Sequence, residues 1–279
     1  HMVYTEKNDF YKELYMLNFN FCAPTYFAFG KDREADTGDL ITQFGGTKVL
    51  IHYGKDSAVK SGLLARIEQS LDQANIAHVS LGGVMPNPRD TLVYEGIDLC
   101  RQEKIDFVLA VGGGSVIDSA KAIAAGTVYQ GDFWDFYCGK AAVEKALPIG
   151  TILTIAAAGS EGSMSSVITK TPQMLKRSTN SLKLRPKFSI LNPALTQSLP
   201  PYQTAAGATD IFLHVLERYF SNTPDVTLTD RLCEALFLTI LEEAPKVMAN
   251  PDDYQARANI MWAGMLAHND SVGVGREQD

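Results

Sequence analysis

Short apolar runs alternate with amphipathic stretches along the first half of the chain. Apolar runs of about four to eight residues are typical of strands that are buried on both faces of a parallel sheet. In the stretches between them, apolar residues recur at helical spacing, which predicts helices with one buried face. The predicted strands are residues 48–53, 76–81, 107–111 and 147–155, and the predicted helices are residues 61–74, 90–103 and 116–125.

This alternation of strand and helix predicts an α/β fold with a doubly wound parallel sheet, because consecutive parallel strands need crossover helices. Ligands of such sheets bind beyond the carboxyl ends of the strands. Residues 165–190 look different. The strand-like segments 167–169 and 188–190 are separated by a polar, basic stretch, so an antiparallel excursion is predicted there.

From Tyr202 onward the pattern is helical, with predicted helices at residues 204–220, 225–249 and 252–267. Pro200 and Pro201 mark the change, since proline starts helices but cannot continue them. We therefore predict two domains, a dinucleotide-binding α/β domain at 3–198 and a helical metal-binding domain at 199–279.

Composition narrows the functional classes. The 279 residues carry a formal net charge of −7, which argues against a nucleic-acid binder. No apolar run reaches the length of about 18 residues that a membrane span needs. The four cysteines lie far apart without CxxC spacing, so neither a disulfide framework nor a zinc finger is expected. We expect a cytoplasmic protein with reduced thiols.

A glycine turn follows the third predicted strand. Gly112, Gly113, Gly114 and Ser115 lie between that strand and a helix. Glycines allow a close backbone approach, and a helix amino terminus offers N–H groups to an anion such as a pyrophosphate. The motif is not GxGxxG, and a tight turn without a ligand remains the alternative.

Asp210 and His214 form a second candidate site. Positions i and i+4 share one face of a helix, so a carboxylate and an imidazole can converge on one cation. This oxygen and nitrogen pair suits Fe(II) or Zn(II). The alternative is an Asp–His hydrogen bond on a helix surface, because two ligands do not make a complete site. His52 and His78 lie in or beside predicted strands and are interpreted as core or edge histidines.

Two polar turns follow the first two predicted strands. Lys55, Asp56 and Ser57 stand where an adenosine ribose commonly lies in a doubly wound fold. An acidic residue there favours a free 2′-hydroxyl, whereas Lys and Ser tolerate a 2′-phosphate. Since this turn contains an acidic residue as well as Lys and Ser, it is a weak signal for either cofactor. Asn87, between two prolines, could hydrogen-bond a nucleotide or belong to an ordinary loop.

Seven blocks in order carry a resemblance to a known family. The chain resembles the iron-containing (group III) alcohol dehydrogenases, and among them the butanol dehydrogenase-like branch, from about Phe19 to Asp279. The blocks are FAFGK at 27–31, YGKDS at 53–57, PNP at 86–88, GGGSVIDSAK at 112–121, TI at 154–155 with GSE at 159–161, KFSILNP at 187–193 and YQTAAG at 202–207.

The resemblance implies a dehydroquinate synthase-like fold, in which the doubly wound sheet is followed by an all-helical domain and NAD(P) lies in the cleft. It implies that Gly113, Gly114 and Ser115 hold the pyrophosphate and that Asp118 lies towards the nicotinamide. The other implied cofactor-binding residues are Lys55, Ser57, Asn87, Thr154 and Ala158, together with Lys176 near the ribose.

The family holds Fe(II), or sometimes Zn(II), with one Asp and three His. Asp210 and His214 match the first two ligands, and their implied catalytic role is exerted through the metal. The third and fourth histidines lie beyond the equivalent of Asp279, so the chain is expected to be incomplete at its carboxyl terminus and inactive by itself. His268 precedes the expected position and is not counted as a substitute. The block at residues 155–161 also lacks the usual Pro and Thr, which puts cofactor affinity in question.

The function predicted on this basis is a metal-dependent, NAD(P)-linked alcohol dehydrogenase or aldehyde reductase for short or medium-chain substrates. Lys55 and Ser57 favour NADP over NAD. The alternatives are a glycerol or polyol dehydrogenase-like enzyme of the same fold, and an inactive nucleotide-binding module. A homodimer is expected from the resemblance, with the edge of the amino-terminal sheet as a possible interface.

Overall fold

A computed structural model describes residues 16–277. Six strands form one parallel sheet in the order β1-β8-β5-β4-β2-β3. The strands are β1 (Tyr26–Phe29), β2 (Lys48–Tyr53), β3 (Ala77–Leu81), β4 (Phe107–Gly112), β5 (Ile149–Leu153) and β8 (Phe188–Leu191). The predicted doubly wound parallel sheet is therefore confirmed. The short strand β1 was not predicted, although its four residues, YFAF, are all apolar.

The strand order contains the point at which the chain reverses its direction across the sheet. From β2 the chain moves outward to β3, returns to β4 on the other side of β2, and continues to β5. The connections that follow the neighbouring strands β2 and β4 therefore run in opposite directions, and a crevice forms between the carboxyl ends of these two strands. Such switch points are where ligands bind in open α/β sheets.

Helices cover both faces of the sheet. On one face, α1 and α3 pack over the strands, and on the other face α4 and α5 do so. The amino-terminal helices are α1 (Thr37–Gln43), α2 (Ser57–Lys60), α3 (Leu63–Gln73), α4 (Asp90–Glu103), α5 (Gly114–Val128) and α6 (Trp134–Tyr137). Because helices enclose β4 from both sides, all six of its residues are buried, as a continuous apolar run predicts.

The antiparallel excursion is present, but its predicted partner strand is wrong. β6 (Ser165–Lys170) pairs with β7 (Leu175–Asn180), which is the polar, basic stretch itself. The segment predicted at 188–190 belongs instead to β8 of the main sheet, parallel to β1 and β5. The polar stretch can form a strand because it pairs with β6 alone and its side chains are mostly exposed. Its sequence therefore needs no alternation of apolar and polar residues.

The helical region begins at Pro201, the first residue of α7. Its helices are α7 (Pro201–Tyr219), α8 (Thr227–Ala249) and α9 (Tyr254–Ala267), which share one small core. Residues 3–15 of the first predicted domain and 278–279 of the second lie outside the described residues. Among the residues from 16 to 277, no helix is long and apolar enough to cross a membrane.

Candidate functional site

The glycine turn lies at the switch point and packs closely against the loop that follows β5. β4 ends at Gly112, and α5 begins directly after Gly113. A Cβ atom added at Gly113 would lie 2.3 Å from Cγ2 of Ile155, so no larger residue fits without displacing the neighbouring loop. The first amides of α5 point out of the carboxyl end of the sheet, where they can donate to an anion.

The loop after β5 lines the same crevice. Thr154 donates its amide to the carbonyl of Gly112 at 3.1 Å, which holds the loop against the turn. Cβ of Ala158 would lie 3.7 Å from a Cβ atom at Gly114, in ordinary van der Waals contact. Two of the predicted cleft residues, Thr154 and Ala158, are thus brought to the glycine turn.

Asp118 lies one turn into α5, and its carboxylate is used by the protein itself. It accepts hydrogen bonds from Oγ of Ser160 at 2.6 Å and from the amide of Val167 at 3.0 Å. Burial raises the pKa of Asp118, while the nearby positive charge of Lys121 opposes that shift. In this structure Asp118 ties α5 to the loop and hairpin that close the crevice.

Lys121 is a functional candidate that the sequence reasoning did not single out. Its ammonium group is fully buried and donates to the carbonyls of Ser160, Ser163 and Ser165 at 2.7, 3.0 and 2.8 Å. Burial lowers the pKa of Lys121 to about 8. A single lysine on an otherwise apolar helix face was the available signal, since a buried lysine needs oxygen partners.

Glu161 lies in the loop held by Lys121, and the sequence reasoning did not single it out either. Its side chain is buried, and Oε1 has no hydrogen-bond partner among the described residues. Burial raises the pKa of Glu161 to about 7, so this carboxyl group keeps its proton over most of the acidic range.

The side chains of the remaining predicted cofactor residues are exposed. Lys55 and Ser57 follow β2, and Asn87 follows β3 with a positive φ of 55°. Asp56 is paired with Lys60 at 2.9 Å, and this hydrogen bond lowers the pKa of Asp56. Lys176 lies exposed in β7 of the hairpin.

Asp210 and His214 project from one side of α7. Oδ2 of Asp210 and Nε2 of His214 are 3.8 Å apart, and Nδ1 of His214 is 3.7 Å from a carboxylate oxygen of Glu217. Both members of the pair are partly exposed, so an ion can reach them. One carboxylate and one imidazole at this spacing fit two positions of an Fe(II) or Zn(II) site. The described residues contain no group of three or more His, Cys, Asp or Glu side chains that could hold a metal ion.

His268 joins the two parts of the candidate site. Its ring stacks on that of His214 with centroids 4.6 Å apart, and its Nδ1 lies 2.5 Å from the carbonyl oxygen of Ala158. Burial and, to a smaller extent, the positive charge of Arg218 lower the pKa of His268 to about 4. The loop beside the glycine turn therefore also contacts a residue that is stacked on His214.

The other histidines have structural contacts. His52 is fully buried, with Nδ1 2.9 Å from the carbonyl of Leu81 and Nε2 2.8 Å from Oγ of Ser119, and burial lowers its pKa to about 4. The interpretation of His52 as a core histidine is confirmed. Two aromatic side chains of the helical region pack on other rings: Phe212 packs on Phe237, and Trp262 packs on Phe27 and Phe29.

Two family models and several known proteins match this chain. The family model described as "Iron-containing alcohol dehydrogenase" matches residues 24–193, and that of the "Fe-containing alcohol dehydrogenase family, C-terminal" matches residues 204–277. The NADH-dependent butanol dehydrogenase A of Clostridium acetobutylicum is 42% identical over 263 residues, which are 94% of this chain and 67% of that protein. The NADPH-dependent aldehyde reductase YqhD of Escherichia coli is 37% identical, over 95% of this chain and 68% of its own length.

A solved structure gives the same result in three dimensions. The crystal structure of NADH-dependent butanol dehydrogenase A from Thermotoga maritima superposes with a TM-score of 0.92 at 41% identity, covering 94% of this chain and 66% of that one. The chain thus spans about two thirds of the length of these relatives. On both family matches and these identities, the chain belongs to the iron-containing alcohol dehydrogenase family.

Proposed function

We propose that this chain binds NAD(P) at the glycine turn and serves hydride transfer between the nicotinamide and a short or medium-chain alcohol or aldehyde. One observation carries the proposal. The loop after β5 is hydrogen-bonded to the glycine turn through Thr154, and its Ala158 carbonyl is contacted by His268, which stacks on His214. A single loop thus separates the cofactor crevice from the Asp210–His214 pair. The substrate class is proposed by analogy with the butanol dehydrogenases and the aldehyde reductase named above.

In this proposal, backbone groups bind the cofactor phosphates and side chains bind the metal ion. Gly113 and Gly114 let the phosphates approach the amino terminus of α5, whose amides and dipole stabilise negative charge. Asp210 and His214 would hold a divalent ion such as Fe(II) or Zn(II), which when bound polarises the oxygen of the alcohol or aldehyde. The loop at Ala158 keeps the two ligands and the cofactor turn at a fixed separation.

Cofactor binding is tested by following NADH fluorescence during titration with the 279-residue chain. In Gly113→Ala the new Cβ would lie 2.3 Å from Ile155, so the loop must move away from the turn. We expect the affinity for NADH to fall about tenfold or more, as expected when a ligand-facing backbone is displaced. Thermal unfolding of the variant verifies that the fold is retained. Unchanged affinity in a folded variant contradicts this placement of the cofactor.

Metal binding is tested with two matched histidines. The side chains of His214 and His78 are similarly buried, at 23% and 20% exposure, and each lies 3.8 Å from an aspartate carboxylate, Asp210 and Asp72 respectively. Only the pair of His214 and Asp210 matches the proposed metal ligands. Co²⁺ binding is measured by isothermal titration calorimetry. We expect His214→Ala to abolish the binding and His78→Ala to retain it. Cofactor binding by a wild-type chain that takes up no Co²⁺ would instead favour the nucleotide-binding module.

We further propose that the site accepts NADPH. Lys55 is exposed beside the crevice, and the carboxylate of Asp56 is occupied by Lys60, so a 2′-phosphate meets a lysine and a neutralised acid. Lys55→Ala should weaken NADPH binding about tenfold, the typical size of a charge-assisted contact. NADH binding to the same variant is the internal control. An equal loss for both cofactors contradicts the proposal.

The quaternary structure proposed is a homodimer formed at the edge of the sheet. β1 is an edge strand, and Tyr26 and Phe29 are exposed on it. Exposed edges with aromatic residues pair readily with a second copy. Sedimentation should give a dimer for the wild-type chain and a monomer for Tyr26→Lys.

A further inference from the structure

We propose that His268 is a positioning residue that fixes the imidazole of His214 relative to the cofactor-lining loop Ala156–Gly159. This inference rests on the proposed function, because it assigns His268 a role between the two halves of that site. His268 follows α9 as its carboxyl-terminal cap. It is therefore held by the helical region while its ring reaches a loop of the sheet region.

The first contact fixes the ring of His268. A carbonyl oxygen can only accept a hydrogen bond, so Nδ1 of His268 donates to Ala158 across 2.5 Å. The hydrogen bond selects the tautomer and limits rotation of the ring about its side-chain bonds. One nitrogen thus serves as an anchor on the loop.

The second contact passes this orientation to His214. The two rings are stacked, with centroids 4.6 Å apart and planes inclined by 30°. Offset stacking at this distance favours one relative orientation of the two rings. Because His214 is on a helix and only its side-chain torsions are free, the stacked ring restricts the direction in which its nitrogens point.

The loop and α9 approach too closely for side chains to intervene. Gly159 has a φ of 65°, and a Cβ atom there would lie 2.6 Å from Cβ of His268 and 2.9 Å from the carbonyl of Gly264. Both the backbone angle and the space therefore require glycine. The separation between the loop and His268 is set by direct contact.

The same loop is also clamped by α7. A Cβ atom at Gly207 would lie 2.4 Å from the carbonyl oxygen of Ala156. His214 is seven residues further along that helix, so both ends of the loop are in contact with elements that carry the metal pair and its neighbour. His268 is the side chain that links these backbone contacts to the imidazole of His214.

A positioning role explains these contacts better than ligation. The described residues contain no group of three or more side chains arranged to hold an ion, so His268 does not complete a metal site with Asp210 and His214. Residues that orient metal ligands without binding the metal typically change metal affinity by about 10- to 100-fold when replaced. The affinity for a divalent ion is thus a suitable readout.

Two substitutions separate the two contacts of His268. His268→Asn retains an amide N–H near the position of Nδ1 but removes the ring. His268→Phe retains a ring but removes the donor. His78→Asn serves as the control, since His78 lies in the edge strand β3, away from the site.

Each contact has its own readouts in the intact 279-residue chain. The loop is followed by the backbone amide NMR signal of Gly159 and by the affinity for NADH. The imidazole of His214 is followed by its ring ¹⁵N and ¹H signals and by the affinity for Co²⁺.

We expect opposite patterns in the two variants. His268→Asn should keep the Gly159 signal and the NADH affinity, shift the His214 ring signals, and weaken Co²⁺ binding about tenfold. His268→Phe should move the Gly159 signal and weaken NADH binding severalfold, with smaller changes at His214. His78→Asn should change none of these readouts.

The proposal is overturned if both variants change both readouts equally, or if neither variant does, because His268 would then only fill space. Failure of the proposed function gives a different result. A wild-type chain that binds neither NADH nor Co²⁺ refutes that function, while the Gly159 and His214 signals of the two variants still decide whether His268 positions them.

Discussion

The sheet region and the helical region bury their apolar residues to very different extents. Every residue of β4, β5 and β8 is buried, and the ring of Phe188 is stacked between those of Phe44 and Phe107. In α8, by contrast, Leu228, Leu238 and Leu241 are largely exposed. A parallel sheet is enclosed by its own crossover helices, whereas α7, α8 and α9 cover one another on one side only.

The two regions also build their parts of the site differently. The glycine turn, proposed to bind the cofactor, consists of backbone groups whose positions follow from the packing of β4 and α5. Asp210 and His214, the proposed metal ligands, are two side chains on one helix, partly exposed and oriented by neighbours. The stability of the fold and the geometry of the Asp210–His214 pair therefore depend on different residues.

The largest effect is expected for matched phenylalanines in the two regions. Phe188→Ala removes a fully buried ring from the sheet core, and its free energy of unfolding should fall by about 4 kcal/mol. Phe220→Ala removes a ring that is 72% exposed at the end of α7, and its loss should stay below about 0.5 kcal/mol. Urea denaturation of both variants measures the difference. Equal losses would show that the helical region is as closed as the sheet.

A nearly equal effect is expected at the buried lysine. Lys121→Met leaves three backbone carbonyls of the crevice loop without their donor, which should cost about 3 kcal/mol of unfolding free energy. Lys60→Met, which removes an exposed pair with Asp56, should change little. A stable Lys121→Met chain would mean that the loop is held by other contacts.

The third effect depends on pH and comes from Glu161. Its pKa rises from 4.5 in the unfolded chain to about 7 in the fold, so its stabilising contribution is complete below pH 4.5 and is lost as the pH rises through 7. Over that range the wild type should lose about 3 kcal/mol of unfolding free energy relative to Glu161→Gln, at about 1.4 kcal/mol per pKa unit.

Denaturation at a series of pH values measures this difference, with the exposed Glu95→Gln as the control for the loss of a carboxylate. A difference between the wild type and Glu161→Gln that stays constant with pH would show that Glu161 titrates as it does in the unfolded chain.

The smallest effect is expected on the exposed face of α8. Leu241→Lys should alter the unfolding free energy by no more than about 0.5 kcal/mol, because the side chain is 60% exposed. Its neighbour Ile240 is buried, so Ile240→Lys should unfold the helical region. Circular dichroism melting separates the two. A strong loss in Leu241→Lys would show that its side chain packs more closely than its exposure indicates.

Much of the architecture was predictable because its signals are local. Continuous apolar runs and helical periodicity indicated every strand of the main sheet except β1, and also the three longest helices of the sheet region, α3, α4 and α5. Pro201 begins α7 as its position predicts. The strand at 175–180 was missed because its exposed polar residues carry no core pattern. The segment at 188–190 was given the wrong partner because apolar character predicts burial but cannot identify the neighbouring strand.

Candidate site residues could be identified from the sequence only where a short motif is typical of a particular chemistry. The glycine turn and the i, i+4 pair of Asp210 and His214 can be read from spacing alone. The partners of Lys121 and of His268 cannot be identified in this way. The carbonyls that Lys121 contacts lie 39 to 44 residues further along the chain, and Ala158 lies 110 residues before His268.

The sequence by itself determined the order of strands and helices, the glycine turn and the pairing of one acid with one histidine, because each depends on residues within a few positions of one another. Only the tertiary structure decided which strands are neighbours, which oxygens surround Lys121, and that His268 lies between the loop at Ala158 and the ring of His214. These contacts depend on how separate elements pack, and packing brings together residues whose separation along the chain carries no local signal.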